Sequence, residues 1–119
     1  MYKYNNEYNR SLEYFTKSLH LSELHMGNNH PDQVQMHYNI GDVYYMQKNK
    51  EKALFHINKT INIGEGVFGA DFPMLALPYS IKGLLIRGEQ GITYIKKALD
   101  LARKAYGCLL YTSPSPRDA

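Results

Sequence analysis

The sequence predicts an all-α fold: an α-α superhelix of antiparallel helix hairpins, stacked as a solenoid of about two and a half repeats. Two observations carry this expectation. First, Ser11-Leu12, Phe15, Ser18-Leu19, Gly27 and Pro31 recur 42 positions later as Ala53-Leu54, Ile57, Thr60-Ile61, Gly69 and Pro73, matched in size and polarity. A fixed interval of this length marks a unit that buries its apolar side against its neighbours. Second, the recurring residues sit at helical spacing. Ala53, Ile57, Thr60, Ile61, Gly64, Val67 and Phe68 step by three and four along one stripe, with polar residues opposite.

Each element follows from this pattern. The first repeat, residues 1–31, starts at Tyr2, which aligns with Tyr44, so most of its first helix is expected to be missing. The second repeat, 32–73, opens with Asp32 after Pro31. Asp32 is expected to cap a helix running through Lys48, with Met36, Ile40, Val43 and Tyr44 on its inner face. A break near Asn49 separates it from the second helix. The third repeat, 74–107, carries Gly91-Ile92, Ile95, Ala98-Leu99 and Gly107 at an offset of 38, so four residues are lost between Pro73 and Gly91. Pro78 falls inside its first helix, and Gly83, Gly88 and Gly91 replace better helix formers at up to about 1 kcal/mol each. That helix is expected to be short or irregular, and the uncapped array only marginally stable.

Asn39-Ile40-Gly41, Tyr44, Ala53-Leu54, Ile57 and Thr60 follow a Leu-Gly, Tyr, Ala, Phe, Ala skeleton, and in these positions the chain resembles the tetratricopeptide repeat over about residues 2 to 107. The 42-residue period and the loops Gly27-Asn-Asn-His-Pro-Asp32 and Gly69-Ala-Asp-Phe-Pro73 are similar to the kinesin-light-chain subtype. The resemblance implies a non-catalytic module whose first helices line a concave groove that holds an extended peptide or a partner domain. Helical geometry puts Gln35, Tyr38, Asn39, Asp42, Tyr45 and Met46 on one broad face of the first helix. These six are the expected groove residues. Tyr and Met would anchor, Asn39 and Gln35 would hydrogen-bond a peptide backbone, and Asp42 would favour a basic residue on the partner. The alternative is a regulatory repeat arm of a larger enzyme or signalling protein whose catalytic domain lies elsewhere, with neighbouring repeats missing from this fragment.

Composition changes at Cys108. The stretch Cys108 to Ala119 resembles translated read-through of a sequencing-library adapter, and 108–119 is expected to be a non-native or disordered tail after a helix ending at Tyr106-Gly107. The single cysteine excludes a disulfide framework within the chain and a Cys-rich zinc finger. No apolar run reaches the ~20 residues of a membrane span, and no signal-peptide core opens the chain, so a cytoplasmic location is expected.

Other motifs point to no chemistry. A net charge of +3 is spread among acidic residues without a clustered basic face, which argues against nucleic acid. Gly64-Glu-Gly-Val-Phe-Gly69 spells a nucleotide fingerprint, yet it stands where a helix should end, not after a strand. The histidines at 20, 25, 30, 37 and 56 lack metal-ligand spacing and read as surface or loop residues. Asn9-Arg-Ser11 and Asn58-Lys-Thr60 match a glycosylation spelling but fall within helices. No nucleophile stands beside a base and an acid. Neither a catalytic role, a metal nor a cofactor is therefore expected.

Overall fold

A computed structural model describes residues 2–112, with side chains described for residues 7–105. Among them lie five α-helices, α1 (Tyr2–Met26), α2 (Asp32–Met46), α3 (Lys50–Phe68), α4 (Ala76–Ile86) and α5 (Gly88–Thr112), a short 3-10 turn at Pro73–Leu75, and no strand. The chain divides between Ala70 and Asp71 into two compact units.

In the first unit, α2 and α3 form a hairpin through the turn at 47–49, and α1 packs on α2. The hairpin closes tightly where Gly41 meets Ile57. A Cβ on Gly41 would come within 2.9 Å of the Ile57 Cδ1. Ile57 and Ala53 are fully buried there, with Ile40 and Ile61 beside them. The second hairpin, α4 with α5, is closer still. A Cβ on Gly83 would lie 2.7 Å from the Gly91 carbonyl oxygen, and one on Gly91 2.6 Å from that of Gly83. Gly83 follows Gly41 by 42 positions and Gly91 follows Ala53 by 38, so both hairpins place their closest approach at equivalent positions. Gly83 and Gly91 are thus the helix contact itself, and the expectation that they merely weaken their helices is corrected.

The four lost residues are now located. α2 runs five residues past Gly41 and is followed by a three-residue turn, whereas α4 runs three residues past Gly83 and is followed by Arg87 alone. Two residues therefore leave the end of the first helix and two leave the turn. α4 is short, as expected, at 11 residues against 15 for α2. Pro78 is its third residue, within the turn whose N–H groups have no helical partner in any case, so the helix tolerates it. On the other side of the hairpin Tyr79 stacks on Tyr94 at 6.0 Å, and Lys82 Nζ stands 4.4 Å from the Tyr94 ring centre. Asp71 bridges Lys97 at 3.7 Å and Lys104 at 3.3 Å.

Equivalent loops end α1 and α3. Gly27 (φ 77) and Gly69 (φ 98) take positive φ, which a side chain disfavours, and each N–H still reaches the carbonyl four residues back at 3.0 Å. The Gly-x-Gly-x-x-Gly spelling therefore belongs to a helix C-terminus.

Several local expectations change. Asp32 does not cap α2: Pro31 already has helical angles, so Asp32 falls one position too late, and its N–H donates to His30 Nδ1 at 3.2 Å. α2 stops at Met46, because Lys48 turns to φ 64, and the Asn49 side chain caps α3 by accepting from the Lys52 N–H. Val67 and Phe68 are substantially exposed in the last turn of α3, while Ile63 joins the core. In α5, Leu101 is buried and Leu99, the expected equivalent of Ile61, is 52% exposed. The helix runs past Gly107 to Thr112: one glycine costs only about 1 kcal/mol, and Leu109 and Leu110 favour helix. The rest of the expected tail, 113–119, lies outside the described residues.

Candidate functional site

All six expected groove residues project from α2, opposite the buried Gln33, His37, Ile40, Gly41 and Val43. The face from Gln35 to Met46 spans ~16 Å along the axis. Gln35 and Met46 at its ends are exposed, and Tyr38, Asn39, Asp42 and Tyr45 between them are half-buried. Gln35 Nε2 donates to Asn39 Oδ1 at 2.9 Å, one helical turn on. This leaves Gln35 Oε1 as an acceptor and Asn39 Nδ2 as a donor, a pairing that suits one peptide unit of an extended chain. Asp42 makes no ion pair among the described residues, and burial raises its carboxyl pKa above the ordinary value. Burial also raises the Tyr38 hydroxyl, with the Asp42 charge adding to the effect. A half-buried carboxylate without a cation favours a positive group brought to it.

Sequence reasoning missed a second polar site. Gln33 is completely buried; its Nε2 donates to the Gly27 carbonyl at 2.6 Å and to Ser22 Oγ at 3.2 Å, while its Oε1 accepts from the His30 N–H at 3.4 Å. One side chain thus ties the end of α1 to the start of α2. One turn on, His37 is 4% exposed and faces His56 of α3, Nδ1 to Nδ1 at 3.1 Å. The two imidazoles are stacked, and Tyr44 also stacks with His56. Burial, then the charges of His56 and Lys59, bring the His37 pKa down to about 4. Burial and Lys59 lower that of His56 as well. Both rings are therefore neutral at neutral pH, and one N–H can serve as donor to the other nitrogen.

The reading of the histidines as surface or loop residues is corrected for these two. The signal was present: 33, 37, 40 and 44 step by four, three and four along the core stripe. A polar cavity of about 250 Å³ adjoins the pair, lined by Glu23, Asn28, Asn29, Gln33, His37 and Lys59 with Ile63.

Among the described residues no three His, Cys, Asp or Glu side chains converge as metal ligands, and no helix is long and apolar enough to cross a membrane. No curated protein matches the chain. The family model for the tetratricopeptide repeat matches residues 1–65, more than half of the sequence and most of the first unit. With its paired helices closing on small residues at repeat-equivalent positions, the chain belongs to the tetratricopeptide repeat family.

Proposed function

We propose that this chain is a non-catalytic protein-interaction module that holds an extended peptide against the outward face of α2. One observation carries the reading: α2 turns a half-buried face of Tyr, Asn and an unpaired Asp42 away from its own core. Half-burial lowers the desolvation cost of docking, and Tyr offers a large contact area at small entropic cost. The Gln35–Asn39 pair fixes two amides in register for a peptide backbone, and Asp42 selects a basic residue on the partner. The family contributes the general role, since its members mediate protein–protein contacts.

The finer reading keeps three repeats, 1–31, 32–73 and 74–107, in a kinesin-light-chain-like arrangement, with 108–119 foreign to the domain and the protein at work in the cytoplasm. Support for the subtype comes from the 42-residue interval, whose equivalent glycines end α1 and α3 alike.

Selection from a random peptide library, followed by fluorescence anisotropy on the hits, tests the proposal. A Tyr38→Ala, Asn39→Ala double variant is expected to lose about tenfold or more in affinity while keeping its circular dichroism spectrum. Unchanged affinity in that variant removes the α2 face from the account.

A further inference from the structure

We infer that the outward face of α3 is a second docking surface, taking an acidic protein segment whose carboxylates, about 10 Å apart, flank an apolar side chain. This goes beyond the peptide face of α2: it lies on another helix and selects the opposite charge.

Buried α3 residues, Ala53, Ile57, Thr60 and Ile61, occupy one side of the helix. Away from them, Phe55 and Asn62 point outward, and Lys52 and Lys59 lie on the flank beside Phe55, all four exposed. Phe55 is 56% exposed although it is the largest apolar side chain of the helix's middle turns, and it stands edge-on to His56 at 5.1 Å. The two lysines bracket it, two turns or ~10.5 Å apart along the axis. Lys59 Nζ lies 5.7 Å from the Phe55 ring centre, and Lys52 Nζ lies 5.5 Å from that of Tyr44. Both ammonium groups are thus held near aromatic rings instead of carboxylates. Among the described residues neither forms an ion pair, and Lys48 in the turn before α3 and Lys50 at its first position are also exposed and without an ion pair. Glu51, one turn before Phe55, is the exposed acid of this face, Glu65 lies half-buried beyond Asn62, and Glu23 shares the polar cavity with Lys59 without bonding to it.

Charge and shape together define the occupant. Unpaired ammonium groups gain from carboxylates delivered to them, and Phe55 gains from an apolar side chain that covers it. An extended strand repeats every ~3.3 Å, so acids three residues apart match the lysine spacing. Arginine, whose planar fork serves phosphate, is absent from the face, which favours a protein segment over RNA or a lipid headgroup.

The probe is a fluorescein-labelled 12-residue peptide rich in glutamate with one central leucine, titrated against the full chain at low salt. The wild type is expected to bind it, and to bind the version with glutamine for glutamate about tenfold more weakly. Lys52→Glu, Lys59→Glu is expected to lose about tenfold or more, and Phe55→Ala several-fold, with helical content retained because all three positions are exposed. Tyr38→Ala, Asn39→Ala should leave this binding intact, which separates the two surfaces. Equal binding of the glutamine peptide, no loss on charge reversal, or tighter binding of a 12-nucleotide RNA or of phosphatidylserine vesicles through the same lysines would overturn the assignment.

Discussion

The Nδ1 atoms of His37 and His56 lie 3.1 Å apart across the contact between α2 and α3, and among the described residues no carboxylate pairs with either ring. Only one proton can lie between them, so acid must break the pair or charge it beside Lys59. The folded-state pKa of His37, about 4, lies below the unfolded value of 6.5. Between those values the unfolded chain binds more protons, so stability is complete above about pH 6.5 and falls as pH drops towards 4. The expected loss is on the order of 2 kcal/mol from His37, with His56 acting in the same direction. Asp42, whose pKa is raised, opposes it weakly. Thermal melting at pH 7.5, 6, 5 and 4.5 measures the slope. A His37→Gln, His56→Gln variant should flatten it; an equally steep slope in that variant would assign the acid sensitivity to other groups.

At Gly83 a methyl group would meet Ile95 Cγ1 at 2.5 Å and the Gly91 carbonyl oxygen at 2.7 Å. The oxygen is backbone and can move only if the helices separate. Gly83→Ala is therefore expected to destabilise the chain by about 1–3 kcal/mol, although alanine is the better helix former. Gly66→Ala is the control. It lies in α3 with nothing within 4 Å of its Cβ, so it should stabilise by up to about 1 kcal/mol. Urea denaturation of both variants gives the comparison, and opposite signs are the expected result.

These glycines also show where the sequence was legible. Recurrence of small residues exposed the repeat, because helices that touch at the same place in each unit require the same side-chain volume there. The face of α2 was equally readable, since residues 35, 38, 39, 42, 45 and 46 share a side of a helix wherever that helix sits. What stayed hidden depended on partners in other elements. His37 was judged by its spacing from histidines near it in sequence, whereas its partner is 19 positions away on α3. Gln33 carries no mark of burial in the sequence, because its three hydrogen bonds reach into α1 and the loop after it. The cost of Gly83 could be read from propensity, but its benefit appears only once Gly91 is opposite.

Gln33 supplies the third prediction. Its amide satisfies the Gly27 carbonyl and Ser22 Oγ in a buried setting. Gln33→Leu keeps the volume but leaves both groups without this partner, which costs about 1–3 kcal/mol. The α1–α2 junction should also loosen locally. Hydrogen exchange should then speed up around residues 22–34 before it does in the α2–α3 hairpin. Uniform acceleration throughout the first unit would mean that Gln33 acts on global stability alone.

Ile61 and Leu99 test the register of the third repeat. An offset of 38 makes them equivalent, yet Ile61 is 4% exposed and Leu99 is 52% exposed. The difference follows from the shortened α4–α5 hairpin. With two residues gone from the first helix and two from the turn, α5 meets a shorter partner, and Leu101 with Ala98 fills the space instead. Ile61→Ala should cost about 2–4 kcal/mol, as a buried aliphatic truncation does. Leu99→Ala should stay within about 0.5 kcal/mol of the parent, whereas Leu101→Ala should match Ile61→Ala. Chemical denaturation of the three variants decides it: a Leu99 variant as damaging as the Ile61 one would restore the strict repeat register and contradict the packing of α5 described above.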